Sequence, residues 1–310
     1  MKTVYPEYFK SFKCAAAECP DTCCAGWEIV IDEKSQAKYD DLHSPIGEKI
    51  RAAMCRDPDG DIIFKNKSGR CPFLTQKNLC EIYIEAGEDY LCRTCKMFPR
   101  FTEEYGSVRE IGLGLACPEA AKIITRQSGE FLLMSESDTQ PPQPNDIDAE
   151  FYFKLLNLRK EIFAVLAHGS QSVKDRLGSL MKFVPQESSG ALISNPFSLL
   201  DGLEILTDDW RELLNKSSSL RHTEYGNELK NTADYYIYRY LLKSVFDGDY
   251  YTKIKLCVFS CAVINLAADA LGIVRAAQLY SKEIEYSKEN MSTLCKRLKK
   301  TSAENIINFL

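Results

Sequence analysis

The residues with the clearest chemical potential in this chain are its cysteines. Ten of the thirteen fall between Cys14 and Cys117, in a chain of 310 residues. Free thiols pack as small hydrophobic side chains and have no packing reason to gather at short spacings. Their density therefore indicates either disulfide bonds or metal ligation.

Nine of these ten cysteines are predicted to bind a metal. They are Cys14, Cys19, Cys23, Cys24, Cys71, Cys80, Cys92, Cys95 and Cys117. The tenth, Cys55, ends a helix-like stretch and is expected to pack instead. The nine allow one four-ligand cluster with spare thiols or two clusters with one spare, and the sequence leaves that choice open.

The spacings favour an iron–sulfur cluster over zinc. Only Cys92 and Cys95 form the Cys-x2-Cys pair that is typical of structural zinc. The spacings from Cys14 to Cys24 are irregular, as in chains that wrap an iron–sulfur cluster. Adjacent Cys23 and Cys24 point in different directions and are not expected to bind one metal together. The predicted cofactor is thus an iron–sulfur cluster, 4Fe-4S by first choice, with zinc as the alternative.

Composition and charge argue against a nucleic-acid-binding, a secreted or a membrane-spanning protein. A net charge of -5 and a pI near 5.5 argue against a general nucleic-acid-binding surface. The first residues lack the apolar core of a secretory signal, so we expect a cytoplasmic protein, in which thiols stay reduced and metal is favoured over disulfides. The longest apolar run, residues 256–268, is too short to span a bilayer and predicts a buried core helix.

The elements that must position these residues divide into two parts. We predict a mainly α protein, with a cysteine-rich metal-binding domain of short strands and loops at residues 1–134 and an all-helical bundle at 149–310. The stretch between them, 135–148, is polar and proline-rich, which predicts a linker. The apolar residues from 151 to 165 recur at helical spacing and open the bundle. Further helices are predicted near 172–183, 198–214, 224–247, 251–271, 275–289 and 291–308.

Within the cysteine-rich part, several short elements are predicted. The Pro-Asp-Gly turn in residues 56–70 indicates a hairpin. Residues 27–31 have strand composition, and Asp32 is a plausible cap for the helix that follows. Alternation predicts a strand over 108–115, and Pro118 is expected to open a helix.

A few residues outside the cysteine set also invite a chemical interpretation. Arg93 and Arg100 lie beside candidate ligands and could neutralise a cluster or hold a cofactor carboxylate. Glu110 and Glu119 flank the last of the nine cysteines, but solvated surface acids are the simpler interpretation. The histidines are scattered singly and are expected to have surface or packing roles. Cys257 and Cys261, four residues apart on the most apolar helix, are expected to pack.

Tyrosines cluster in the helical part. They are Tyr235, Tyr236, Tyr238, Tyr240, Tyr250 and Tyr251. Tyrosine faces attract a lysine ammonium, although aromatic residues on helices more often fill a core. Packing is therefore the favoured interpretation.

The motifs resemble those of the flagellin lysine-N-methylase family. The resemblance rests on Cys14, Cys19, Cys23-Cys24-Ala-Gly-Trp27, Cys71-Pro-Phe-Leu, Cys80-Glu-Ile-Tyr, Cys92-Arg-Thr-Cys95, Phe98-Pro-Arg100 and Cys117-Pro-Glu in this order. The cysteine-rich part is also similar to small iron- or zinc-chelating domains. The motifs cover residues 14–121, while the helical part matches only in general character.

The resemblance implies an enzyme. It implies transfer of methyl groups from S-adenosylmethionine to surface lysines of flagellin, in a cytoplasmic protein that carries an iron–sulfur cluster. No residue is marked as the base that deprotonates lysine. The alternative is a non-catalytic zinc- or iron-binding module that holds a surface for a protein partner.

Overall fold

The computed structural model describes residues 1–25, 29–65, 69–137, 146–185 and 192–310. They form two compact units. The first, here the helical unit, comprises Met1–Phe12 and Thr102–Leu310, and the second, the cysteine unit, comprises Lys13–Phe101. The protein is mainly α, as predicted.

The strands of the described residues are short. In chain order they are β1 (Lys2–Pro6), β2 (Met54–Arg56), β3 (Ile62–Phe64), β4 (Arg100–Tyr105), β5 (Val108–Leu113) and β6 (Leu133–Ser137). The α-helices are α1 (Glu33–Asp40), α2 (Pro45–Ala53), α3 (Glu81–Ala86), α4 (Arg93–Met97), α5 (Pro118–Thr125), α6 (Ala149–Leu166), α7 (Val173–Ser179), α8 (Asp208–Asn215), α9 (Asn227–Tyr240), α10 (Ser244–Asp247), α11 (Tyr250–Leu271), α12 (Ile273–Ile284), α13 (Lys288–Lys300) and α14 (Ala303–Asn308). Shorter 3-10 helices are Glu7–Ser11, Ala16–Glu18, Glu88–Tyr90, Leu180–Phe183, Pro196–Leu200, Ser217–Ser219 and Leu241–Lys243.

The cysteine unit is built from local elements that the sequence anticipated. Strands β2 and β3 pair antiparallel across the Pro-Asp-Gly turn, which confirms the hairpin. Asp32 caps α1 by accepting a hydrogen bond from the backbone N–H of Ser35 at 3.1 Å, as predicted. Residues 27 and 28 of the predicted strand 27–31 lie outside the described residues, while Val30 forms an isolated bridge with Ile63.

A small apolar core holds the cysteine unit together. Its buried members are Ile29, Ile31, Tyr39, Ile46, Ile50, Phe64, Phe73, Ile82 and Cys92. Cys71, Cys80 and Cys95 are half-buried and pack against this core. The core therefore places several thiols side by side.

A four-stranded sheet opens the helical unit. Its strand order is β4-β5-β1-β6, with β1 parallel to β5 and antiparallel to β6. The sheet confirms the strand predicted over 108–115, and the helix predicted at Pro118 is α5. Because β1, β5 and β6 pair in this sheet, residues 102–134 belong to the helical unit.

The compact units therefore differ from the predicted domains, which were divided at residues 135–148. The start of that linker, residues 135–137, lies in β6, and residues 138–145 lie outside the described part of the chain. Asp148 caps α6 by accepting from the backbone N–H of Phe151. The helix predicted over 198–214 is also corrected, since residues 201–207 separate the 3-10 helix Pro196–Leu200 from α8.

The core of the helical unit surrounds α11. This helix packs against α9, α12 and α13. By length and composition alone it is a candidate membrane span, but 83% of its most apolar 18-residue segment is buried inside the protein. Its side chains from Ile254 to Ala268 are buried, as expected of the core helix predicted over 256–268. Cys257 and Cys261 are buried there, as predicted.

Candidate functional site: a cysteine cluster and a tyrosine–glutamate network

Cys92 and Cys95 form a close pair of thiols in the cysteine unit. Cys92 precedes α4 and Cys95 lies within it, so one turn of helix brings their sulfur atoms to 3.5 Å. The contact between the two thiols lowers the pKa of Cys92, and the same contact together with burial raises the pKa of Cys95. Within the pair, Cys92 therefore ionises more readily than Cys95.

Short loops bring Cys71 and Cys80 toward the same place. The backbone N–H of Cys71 donates to the carbonyl of Cys24 at 2.8 Å, and Cys80 forms a bridge with Leu74. Burial, with smaller contributions from the neighbouring Cys80 and Cys92, raises the pKa of the Cys71 thiol to about 11. These thiols are close enough to disfavour ionisation of one another, which a bound cation would reverse.

The first cysteine segment contributes a second close pair. The sulfur atoms of Cys23 and Cys24 lie 4.0 Å apart, and this contact, followed by burial, raises the pKa of Cys23. Cys23 contributes electrostatically to the raised pKa of Cys71, and Cys24 contributes in the same way to that of Cys95. Cys14 is exposed and Cys19 half-buried, and both lie close enough to interact with one another.

Six of the predicted ligands are therefore neighbours in one compact unit: Cys23, Cys24, Cys71, Cys80, Cys92 and Cys95. Thiolates are the donor set of iron–sulfur clusters and of structural zinc, so the residue chemistry fits either group. Two thiolates on one tetrahedral zinc would lie about 3.8 Å apart, from a bond length of about 2.3 Å. Both close pairs approach this value. Among the described residues, however, no three His, Cys, Asp or Glu side chains are already arranged around a common metal position.

The other predicted site residues include Cys117 and two arginines. Cys117 belongs to the helical unit, where it is buried and precedes α5. Arg93 is exposed at the start of α4, and its backbone N–H donates to Asp32 at 2.8 Å. Arg100 is half-buried in β4. Contact of either arginine with a cofactor stays a prediction.

The predicted tyrosine group divides into three in the structure. Tyr235, Tyr236 and Tyr240 each donate a hydroxyl hydrogen bond to the carboxylate of Glu285, at 2.7, 3.0 and 2.6 Å. The side chain of Glu285 is fully enclosed. Burial, the largest cause, raises the pKa of each of the three hydroxyls. The network is thus a fixed set of hydroxyl donors around one carboxylate.

The other tyrosines have different partners. Tyr238 donates to the carbonyls of Val4 and Ile111, both at 3.0 Å, and so ties α9 to the sheet. Tyr250 and Tyr251 lie at the start of α11, with ring centroids 4.1 Å apart. The Glu285 group combines aromatic faces with a buried carboxylate.

Glu285 and its neighbour Arg239 were not among the predicted site residues. Arg239 lies four residues after Tyr235, and its guanidinium donates to the Tyr235 hydroxyl at 2.5 Å. The spacing of four on a helix was the available signal. The sequence carries no such signal for Glu285, because this residue reaches the tyrosines only through tertiary packing.

The two carboxylates considered near Cys117 have structural surroundings. Glu110 is buried and forms a two-pronged ion pair with Arg159, at 2.7 and 2.8 Å. It is therefore not the solvated surface acid that was the simpler interpretation. Glu119 is half-buried in the first turn of α5.

The histidines occupy separate places, as expected. His43 is exposed, and His168 contacts the hydroxyl of Ser170 at 3.1 Å. His222 contacts the side chain of Asn265 at 2.8 Å.

Comparisons with known proteins relate the sequence of this chain to one family. Residues 139–310 match the family model described as the FliB lysine N-methylase C-terminal domain. The chain is 28% identical over 185 residues to proteins named Lysine-N-methylase from Salmonella typhimurium and Salmonella choleraesuis, which covers 58% of this chain and 46% of each relative. It is 30% identical over 125 residues to the flagellar biosynthetic protein FliU of Salmonella muenchen, covering 38% of this chain and 74% of that one.

The chain spans about half the length of the lysine N-methylases that it matches. No solved structure matches. The family model alone covers more than half of the chain, including the helices that carry the tyrosine–glutamate network. The chain therefore belongs to the FliB lysine N-methylase family.

Proposed function

We propose that this protein is a protein-lysine N-methyltransferase that transfers methyl groups from S-adenosylmethionine to surface lysines of flagellin in the cytoplasm. The observation that carries the proposal is the family match over residues 139–310, supported by relatives named Lysine-N-methylase. The flagellar name of a third relative supports flagellin as the substrate.

In the proposed reaction, the neutral lysine amine attacks the methyl carbon of the sulfonium donor. A nitrogen–carbon bond forms, the carbon–sulfur bond breaks, and its electron pair stays on sulfur. The lysine must first release a proton from its ammonium group, to solvent or to a protein base. The protein's contribution is to bind the ammonium, remove its water and align the amine with the methyl group.

We further propose that the cysteine unit binds an iron–sulfur cluster. The six neighbouring thiols, with Cys14 and Cys19 beside them, would supply its ligands. When bound, such a cluster cross-links loops that contain little regular structure, and its binding free energy stabilises the folded unit. The clustering of the thiols supports this proposal: burial and, after it, the neighbouring cysteines raise the pKa of Cys71.

The test uses the full chain purified without oxygen. We expect a brown protein with iron and acid-labile sulfide in similar amounts, and added methyl mass on flagellin lysines after incubation with labelled S-adenosylmethionine. Cys92→Ser should lose the metal and the activity. Cys295→Ser, a half-buried cysteine on α13, is the matched control and should retain both.

Two results would count against the proposal. Stoichiometric zinc in a colourless protein would exclude the iron–sulfur cluster and favour the zinc alternative, to which the 3.5 Å separation of Cys92 and Cys95 is suited. Failure of the metal-replete protein to bind the methyl donor or methylate flagellin would leave a non-catalytic interaction module as the better interpretation.

A further inference from the structure

The guanidinium of Arg239 is surrounded by three tyrosine rings. It lies 5.7 Å from the ring centroid of Tyr235, 5.4 Å from that of Tyr240 and 5.8 Å from that of Tyr286. All three distances are within the range at which a cation is attracted to the face of an aromatic ring. Aromatic cages of this kind are used elsewhere to bind ammonium groups.

A carboxylate completes the cage. Glu285 has a fully enclosed side chain and lies 3.5 Å from the Arg239 guanidinium. Hydroxyl groups of Tyr235 and Tyr240 donate to it, which fixes its position. Three aromatic faces and one oriented negative charge are the features that select a monovalent organic cation.

A second buried arginine in the same unit is held in another way. Arg159 donates two hydrogen bonds to Glu110 at 2.7 and 2.8 Å, the geometry that only a guanidinium fork can provide. Arg239 donates one hydrogen bond to the Tyr235 hydroxyl at 2.5 Å and lies 3.5 Å from the Glu285 carboxylate, and ring faces surround its guanidinium on three sides. The surroundings of Arg239 are therefore less specific for a guanidinium than those of Arg159.

A primary ammonium already contacts one of these rings. The Nζ atom of Lys243 lies 5.5 Å from the Tyr240 centroid while it forms an ion pair with Glu103. The cage also reaches the surface, since the Arg239 side chain is 11% exposed and Tyr286 is half-buried. A flexible side chain that enters from outside could thus take the position of Arg239 without opening the core.

We propose that Tyr235, Tyr240, Tyr286 and Glu285 form a binding pocket for a primary alkylammonium ion, the side chain of a substrate lysine, and that Arg239 is its internal occupant. The proposal rests on the proposed lysine methyltransferase function and names the place where the lysine binds. Arg239 keeps the buried carboxylate neutralised until a lysine side chain displaces it.

The pocket can be tested with n-butylammonium, which has the same end group as lysine. Arg239→Ala should empty the cage, and titration of the variant, with carbon-13-labelled tyrosines, should give saturable NMR shifts at the cage rings. We expect binding at least tenfold tighter than in the wild-type protein, where Arg239 competes. The double variant Arg239→Ala/Glu285→Gln should lose that gain, and equimolar potassium chloride should not reproduce the shifts.

A second pair of variants decides the question even if Arg239→Ala fails to fold. Arg239→Lys places an ammonium in the cage and should change the unfolding equilibrium constant less than tenfold. Arg159→Lys, the matched control, breaks a two-pronged pair and should change it more than tenfold. Equal losses in the two variants, or folded Arg239→Ala without saturable binding, would overturn the pocket. Neither measurement uses flagellin or methyl donor, so failure of methyl transfer is a separate result.

Discussion

The ion pair between Glu110 and Arg159 allows a quantitative test of the structure. Glu110 lies on β5 and Arg159 on α6, and their side chains are only 4% and 5% exposed. Arg159→Met removes the cation and leaves a buried carboxylate without its two charge-assisted hydrogen bonds. Breaking a buried pair in this way costs about 3–5 kcal/mol, or roughly a thousandfold in the folding equilibrium. Loss of the guanidinium contact with the Tyr238 ring, 5.4 Å away, adds to this cost.

The measurement is urea unfolding followed by tryptophan fluorescence. Trp210 is buried in the helical unit, so a Trp27→Phe background leaves one reporter for that unit. The double variant Glu110→Leu/Arg159→Met removes both charges and should recover most of the loss, to within about 1–2 kcal/mol of the background protein. A cost below about 1 kcal/mol for Arg159→Met, or additive single-variant costs, would refute the buried pair.

Three further predictions concern stability and domain organisation. Gly47→Ala should destabilise the cysteine unit by about 1–3 kcal/mol in urea unfolding, because its Cβ would meet the Leu42 carbonyl oxygen, whereas Gly178→Ala should be neutral or stabilising, since nothing lies closer than 3.8 Å. Burial raises the pKa of Asp234 to about 6, against an ordinary value of 3.8, so its contribution to stability should be present below about pH 4 and lost as the pH rises to 6. Asp234→Asn should abolish this part of the pH profile, and an unchanged profile would contradict the shift. Brief limited proteolysis should cut first within residues 138–147, the part of the predicted linker between β6 and the cap of α6, and early cleavage elsewhere would contradict a linker there.

Local patterns predicted the elements of this fold well. The turn before β3, the proline that opens α5 and the helical periodicity of α6 each depend on residues close together in sequence. The sheet was not predictable in the same way, because β1 pairs with β5 and β6 more than a hundred residues away. Short strands carry too little periodicity to reveal such partners, which is why the compact units differ from the predicted domains.

The candidate site residues likewise divide into those that local sequence patterns predicted and those that depend on tertiary contacts. Spacing and compartment identified Cys71, Cys80, Cys92 and Cys95, which the structure brings together around one apolar core. The tyrosines of α9 were visible as a group, but their division between Glu285 and the sheet depends on tertiary contacts. Site residues that lie outside a recognisable sequence motif, such as Glu285, could therefore be identified only from the structure.

The two buried arginine–glutamate pairs of the helical unit differ in how much each carboxylate depends on its arginine. A carboxylate paired by two short hydrogen bonds, as Glu110 is with Arg159, loses both if the cation moves. Glu285 keeps three hydroxyl donors when Arg239 leaves, so the cost of uncovering its charge is smaller. A site that exchanges one cation for another needs groups that stabilise the carboxylate and that stay in place when the first cation leaves. The tyrosines around Glu285 supply it, which is why we assign exchange to Arg239 and a fixed structural role to Arg159.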